Sequence, residues 1–333
     1  MGSRCIAVVP GDGVGPEVTA AALEVLEATG LGWEHVTLEV GVAAWERTGH
    51  SVPPDALQAC KDADAVLFGA TTTPPALQGY TSAILTLRRE LALGVNLRPA
   101  RSVAGVGTPG LDLVVVRENS EGLYAGVETR APDRATALRV ITRAASERVA
   151  EAAFAQAAQR GETQVTAVHK ANVLRATDGL FLEACRTVAA RHPGIALRDA
   201  LVDSLACDLV LRPTKYRVLV TTNLFGDILS DLAAGLMGGL GLAPSANLGA
   251  EHALFEPVHG SAPDIAGKGV ANPVGAIRSA AMMLAHLGEV KWAERVEAAV
   301  DAALASPATR TVDVGGTATM REMAAAVVRA LER

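Results

Sequence analysis

Aromatic side chains are few in this chain, three Trp, three Tyr and five Phe, so a tyrosine in a polar setting needs a reason. Lysine is equally sparse beside abundant arginine, occurring only at Lys61, Lys170, Lys215, Lys268 and Lys291. Positive charge is not in excess: the net charge is −6 and the pI near 5.7, which argues against nucleic acid as the main partner, since phosphate binding needs clustered positive charge. The four cysteines, Cys5, Cys60, Cys185 and Cys207, show no Cys-x-x-Cys spacing and sit in apolar contexts that suit reduced, packed thiols. No apolar run reaches membrane-spanning length. The chain passes almost at once into the strand-like Cys5 to Val9 without room for a signal segment, so a cytoplasmic protein that does not bind membranes is expected. The dinucleotide fingerprint Gly-x-Gly-x-x-Gly is also missing, because Pro16 takes its last glycine site after Gly11 and Gly13. That excludes a Rossmann assignment. Internal repeats, linkers and low-complexity tracts are absent too.

What is present is alternation. Apolar runs at Arg4 to Val9, Val36 to Val40, Ala65 to Phe68, Leu111 to Val116, Val165 to Val168 and Val218 to Val220 read as buried strands. Helical patterns run from Pro16 to about Thr29, Asp55 to Cys60, Ala144 to Ala158, Thr177 to Ala190, Pro273 to His286, Lys291 to Ala305 and Thr319 to Leu331. This order predicts an α/β fold with a largely parallel sheet flanked by helices. From Val127 to Thr142, alternation with charged residues and one proline suggests extended arms of the kind that reach a neighbouring subunit.

The chemistry gathers around Asn223 to Asp231. Read as a turn and the start of a helix, this stretch puts Asp227 and Asp231 one helical turn apart, where they either sit on a solvated face or hold a hard cation such as Mg²⁺ or Mn²⁺. Like charges so spaced repel, and the interleaved Ile228, Leu229 and Leu232 predict partial burial, which favours the cation. Arg88, Arg98 and Arg117 all fall at element ends, and three converging guanidinium groups would fix a di- or tricarboxylate. Tyr124, in a polar loop, is either a proton donor or a packing residue. Lys170, at the end of a buried-looking strand, is placed for proton transfer, while His169 beside it reads as packed or hydrogen-bonded. Asp203 is either a helix N-cap or a third metal carboxylate. The loop from Glu256 to Asn272, dense in Gly, Pro and small residues, lets backbone approach a ligand, and its Asp264 suits a ribose diol.

Five strings in order, Gly11 to Glu17, Arg117 to Tyr124, His169 to Leu174, Asn223 to Asp231 and His259 to Lys268, resemble the β-decarboxylating dehydrogenases, the family of isocitrate, homoisocitrate and 3-isopropylmalate dehydrogenases. The resemblance runs essentially the full length. It implies two α/β domains without Rossmann topology: residues 1–98 plus 246–333, from both chain ends, and residues 99–245, with an arm that clasps the partner and the site in the cleft. It also implies a homodimer or dimer of dimers with shared sites. Arg88, Arg98 and Arg117 would clamp the carboxylates of a 2-hydroxy acid, with Ser82 and Leu85 facing its variable arm. Asp227 and Asp231, with Asp203 of the other subunit, would hold Mg²⁺ or Mn²⁺. Lys170, also from the partner, would assist removal of the C2 hydroxyl proton, and Tyr124 would protonate the carbon that loses CO₂. Asn172, His259, Gly260, Ser261, Ala262, Asp264, Ile265 and Asn272 would bind the cofactor, and Asp264-Ile265 matches members that use NAD.

Substrate choice rests on Gly79 to Arg88. Ser82 fits the isocitrate pattern and Ile84 does not; Ile84 and Leu85 mimic the aliphatic pair of isopropylmalate enzymes; the run Gly-Tyr-Thr-Ser resembles one homoisocitrate branch. The homoisocitrate reading, with a place in lysine biosynthesis, requires Tyr80, Thr81, Ser82, the Thr71 to Thr73 loop or water to receive the distal carboxylate, because an unpaired carboxylate against Ile84 and Leu85 would cost several kcal/mol.

Overall fold

A computed structural model describes residues 4–103 and 105–333. Its contacts divide the chain into two compact units, Met1–Leu93 with Ser102–Pro109 and Met237–Arg333, and Gly94–Arg101 with Gly110–Leu236. The first opens with β1 (Cys5–Gly11), α1 (Gly15–Glu27), β2 (Glu34–Thr37), α2 (Val42–Thr48), α3 (Pro54–Asp62), β3 (Ala65–Ala70) and α4 (Ala83–Glu90). The second contains β4 (Val95–Arg101), β5 (Asp112–Glu118), β6 (Glu128–Arg130), β7 (Ala135–Ala137), α5 (Arg143–Gln159), β8 (Gln164–His169), α6 (Thr177–Ala189), β9 (Ala196–Leu201), α7 (Val202–Leu211), β10 (Val218–Thr221) and α8 (Asn223–Met237). The chain then returns to the first through β11 (Pro244–Leu248), β12 (Ala253–Pro257), α9 (Val274–His286), α10 (Val290–Ala305) and α11 (Met320–Leu331).

In the first unit the strands lie in the order β2-β1-β3-β12-β11, parallel except for the β11/β12 pair. The runs Ile6 to Val9 and Ala65 to Phe68 are buried throughout, as central parallel strands require when helices cover both faces. β2 is the exposed edge, and it lies earlier than the expected Val36 to Val40 because the chain leaves the edge there to carry Val40 into the core. Pro16 occupies the first turn of α1, whose Val18, Ala21, Ala22 and Val25 form the buried stripe. At the other end, Thr319 and Glu322 close a reciprocal capping box on α11.

The second unit orders its strands β4-β5-β10-β8-β9, with only β4/β5 antiparallel. β4 pairs with β5 along its whole length, from Val95 opposite Glu118 to Arg101 opposite Asp112. The strand therefore lies wholly within this unit. β6 and β7 form a separate antiparallel hairpin, exposed at every strand position. Asp203 is not an N-cap: α7 begins one residue earlier, after Leu201, and puts Asp203 in its first turn. α2, bounded by Gly41 and by left-handed Gly49, is an element the apolar pattern did not reveal.

Candidate active site

β10 ends at Thr221 and α8 starts at Asn223, so the first turns of this helix stand over the C-terminal ends of the parallel strands of their unit. Asn223, Asp227, Ser230 and Asp231 share one helical face by their spacing. The structure brings Arg98, Arg117 and Tyr124 to that face. Arg117, 1% exposed, bonds Asn223 Oδ1 through Nη2 at 2.8 Å and contacts Asp227 Oδ1 through Nη1. Arg98 donates Nη1 to Ser230 Oγ at 2.8 Å and to Asp227 Oδ1 at 3.2 Å, lies 3.5 Å from Asp231, and is oriented by Asn96 at 2.7 Å. The Tyr124 hydroxyl donates to Asp227 Oδ2, and the Arg117 guanidinium lies 5.0 Å from its ring centroid. Gly226 makes this packing possible, since a Cβ there would fall 2.5 Å from Arg117 Cγ.

Burial, then the hydrogen bond to Asp227, push the Tyr124 hydroxyl above its usual range, so it holds its proton at neutral pH. Burial also raises the Asp231 carboxyl; Asp227 adds to the shift and Arg98 opposes it. A partly buried carboxylate beside another is chemically suited to a hard cation. Asp203 lies elsewhere in the unit: Lys170 Nζ donates to its Oδ1 at 2.6 Å, which holds the Asp203 carboxyl below its ordinary range. Among the described residues no group of three or more acidic, His or Cys side chains is placed to hold a metal within one chain. His169 is buried, bonded to Ala171 N and to Asp199, as its neighbours suggested, while Asn172 in the following turn is exposed.

In the first unit Arg88 is buried at the end of α4, its Nη2 2.8 Å from Glu256 Oε1, and its Nε lacks a partner. Ser82 is the backbone N-cap of α4 without a side-chain cap bond, and Leu85 is 37% exposed. Ile84 is half-buried and packs against the apolar core of its unit, while Leu85 is the more exposed of the two. The candidate cofactor loop is pinned to its neighbours. Val14 N donates to Ser261 O at 2.8 Å, Ser261 Oγ meets Thr72 Oγ1 at 2.6 Å, and Asp12 accepts the N–H groups of Val42 and Thr72. Gly13 at φ +60 is unavoidable, because a Cβ there would lie 1.9 Å from Ser261 O. Ala262 takes a positive φ of 38, Gly260 and Asp264 are exposed, and Ile265 is half-buried. Asn272 is held by Asp313 at 3.0 Å, and burial lowers the His259 imidazole, whose Nε2 has no partner. An orphaned buried nitrogen in a loop of this kind fits a hydrogen-bonding ligand.

Sequence reasoning did not single out Ser230, Asn96 or Glu256 as arginine partners. The first was accessible as the residue three after Asp227. Two concavities, of about 230 Å³ near Leu23, Leu26 and Trp33 and about 510 Å³ near Leu205, Leu211 and Tyr216, are not lined by the arginines and carboxylates of the site.

Residues 5–327 match the isocitrate/isopropylmalate dehydrogenase family. The chain belongs to that family. It is 53% identical over 329 residues, 98% of either chain, to an isocitrate/homoisocitrate dehydrogenase of Thermus thermophilus. It is 49% identical over 331 residues, 98% of this chain and 99% of the relative, to a 3-isopropylmalate dehydrogenase of Archaeoglobus fulgidus. A solved β-decarboxylating dehydrogenase of Thermococcus kodakarensis matches with a TM-score of 0.87 and 45% identity, covering 99% of this chain and 96% of that one. The family member described here is an α/β enzyme, a β-decarboxylating dehydrogenase, and no helix among its described residues is long and apolar enough to cross a membrane.

Proposed function

We propose that this dehydrogenase uses NAD and Mg²⁺ or Mn²⁺ to convert homoisocitrate to 2-oxoadipate and CO₂, in a homodimer or dimer of dimers with shared sites. One observation carries the site assignment: two guanidinium groups and a protonated tyrosine converge on the carboxylate face of α8. Arg98 and Arg117 bind the substrate's malate-like carboxylates, with Arg88 as the third clamp. Asp227 and Asp231, with Asp203 of a second subunit, are the oxygen donors for the cation; the pairing of Asp203 with Lys170 outside the α8 cluster supports a site completed by another chain. His259, Gly260, Ser261, Ala262, Asp264, Ile265 and Asn272, with Asn172, hold the cofactor, and the unpartnered His259 Nε2 and exposed Asp264 suit it.

When bound, the cofactor would supply an acceptor for the C2 hydride and the cation positive charge for the C2 oxygen during loss of the β-carboxylate. Lys170 assists removal of the C2 hydroxyl proton. Tyr124, held in its protonated form, then gives its proton to the carbon that has lost CO₂. Homoisocitrate is favoured because Ile84 is engaged in the core, which leaves a single aliphatic side chain, Leu85, beside Ser82. The Tyr80 hydroxyl, pushed up to about 12 by burial and then Asp12, is also a donor without a partner near the head of α4. Relatives of similar identity carry different substrate names, so the deciding experiment is kinetic: NAD reduction with Mg²⁺, comparing kcat/KM for homoisocitrate, isocitrate and 3-isopropylmalate. Homoisocitrate should lead. A preference for 3-isopropylmalate would show that Leu85 dominates the pocket, and full turnover in EDTA would remove the metal from the mechanism.

A further inference from the structure

Lys170 follows the last residue of β8, in a turn whose Asn172 and Val173 are exposed, yet its main chain is held on both sides. Its carbonyl accepts from Val173 N at 2.9 Å and Leu174 N at 2.8 Å. Its N–H donates to Asp178 Oδ2 at 2.6 Å, where the strand ladder has run out. Asp178 is 0% exposed, in the first turn of α6, where the helix N-terminus favours a carboxylate. Its other oxygen lies 2.6 Å from Arg139 Nη1, a charge contact without hydrogen-bond alignment. Arg139 in turn donates to Thr177 Oγ1 at 2.6 Å and to Thr222 Oγ1 at 3.1 Å, and lies 5.4 Å from the Phe225 ring centroid.

A buried ion pair of this kind adds little stability over an apolar pair of the same shape, because desolvation offsets the attraction. What Asp178 does supply is a fixed anchor for one main-chain N–H, directly beneath the side chain assigned to proton transfer. We propose that Asp178, oriented by Arg139, is a positioning residue that sets where Lys170 Nζ stands at the substrate. The proposal rests on the assignment of Lys170 to assist proton removal, and its test separates the two. Displacement of a catalytic group by about 1 Å can cost on the order of 100-fold in rate.

The experiment is a double-mutant cycle of Asp178→Asn and Lys170→Met, assayed with NAD, Mg²⁺ and the preferred hydroxy acid. Asp178→Asn should lower kcat about 10-fold or more with KM changed less than about twofold, and should have almost no further effect in the Lys170→Met background. An equal loss in both backgrounds would reduce Asp178 to a general structural role and overturn the proposal. An unchanged kcat in Lys170→Met alone would instead overturn the assignment of Lys170 to proton removal, and the positioning role with it. Should Asp178→Asn fail to fold, Arg139→Gln keeps the test intact, since Arg139 is partly exposed. It should show the same kcat-specific, Lys170-dependent loss; a loss independent of Lys170 would again count against the proposal.

Discussion

Asp208 is the residue on which one acid-sensitive contact of the second unit turns. Its carboxylate accepts from Lys215 Nζ at 2.7 Å, Tyr216 Oη at 2.5 Å and Arg212 Nε at 2.6 Å. The Lys215 bond, then those of Tyr216 and Arg212, hold it far below the ordinary carboxylate range. The sign follows from proton uptake: the unfolded chain takes the proton near pH 4, the folded chain only at much lower pH. The stabilisation is therefore complete above about pH 4 and is lost as the pH falls below it. Asp208→Asn should lower the melting temperature at pH 7 and flatten its decline between about pH 4 and pH 2. Parallel slopes for the two proteins in thermal melts across that window would show that the carboxylate is not the source. Nothing in the sequence marked Asp208, because its partners are legible only once the chain after α7 has turned back. Tyr124 and Lys170 were legible for the opposite reason, as scarce residue types in polar settings at strand and loop ends.

At the scale of elements, α8 shows how a helix and a strand fix one another. Arg117 leaves β5 and lies across Gly226, so the helix can come close only where it has no side chain. Gly226→Ala should cost about 1–3 kcal/mol through overpacking and lower kcat/KM at least about 10-fold by displacing the guanidinium from Asp227. Urea unfolding and steady-state kinetics on one preparation check both. Loss of stability with unaltered kcat/KM would mean that the helix, not the arginine, had moved. The strands of the parallel sheet were readable because buried parallel strands are continuous apolar runs. α2 was not, since a helix of two turns carries too short a period. The half-burial of Ile84 was hidden for a related reason: two adjacent aliphatic residues on a helix point about 100° apart, so one can turn to the core while the other faces out.

At the scale of the whole molecule, the proposal that Asp227 of one chain works with Lys170 and Asp203 of another has a direct consequence for mixtures. Lys170→Met and Asp227→Asn chains should each keep only a small residual activity alone. Unfolded together and refolded, half the dimers would be hybrids carrying one doubly altered and one intact site, giving about a quarter of wild-type activity. No recovery above either parent would mean that each chain carries a complete site. The exposed β6/β7 hairpin is consistent with assembly, since an isolated two-stranded ribbon is marginal by itself in water. The resemblance carried by linear motifs revealed the reaction class; the pairing of Lys170 with Asp203 rather than with the α8 carboxylates is a fact of three dimensions.

Arg98, Arg117, Asp227 and Asp231 sum to zero formal charge, with Asp227 already engaged by both guanidinium groups. Such a patch offers an approaching polyanion little long-range attraction, and a cation meets Asp227 already shared, with Asp231, 3.5 Å from Arg98, the more open carboxylate. A cation that draws Asp227 away releases the arginines, and an anion that draws the arginines away releases Asp227. By thermodynamic reciprocity, whatever factor one gains from the other is returned in full, so anion and cation should each bind this surface more tightly in the presence of the other.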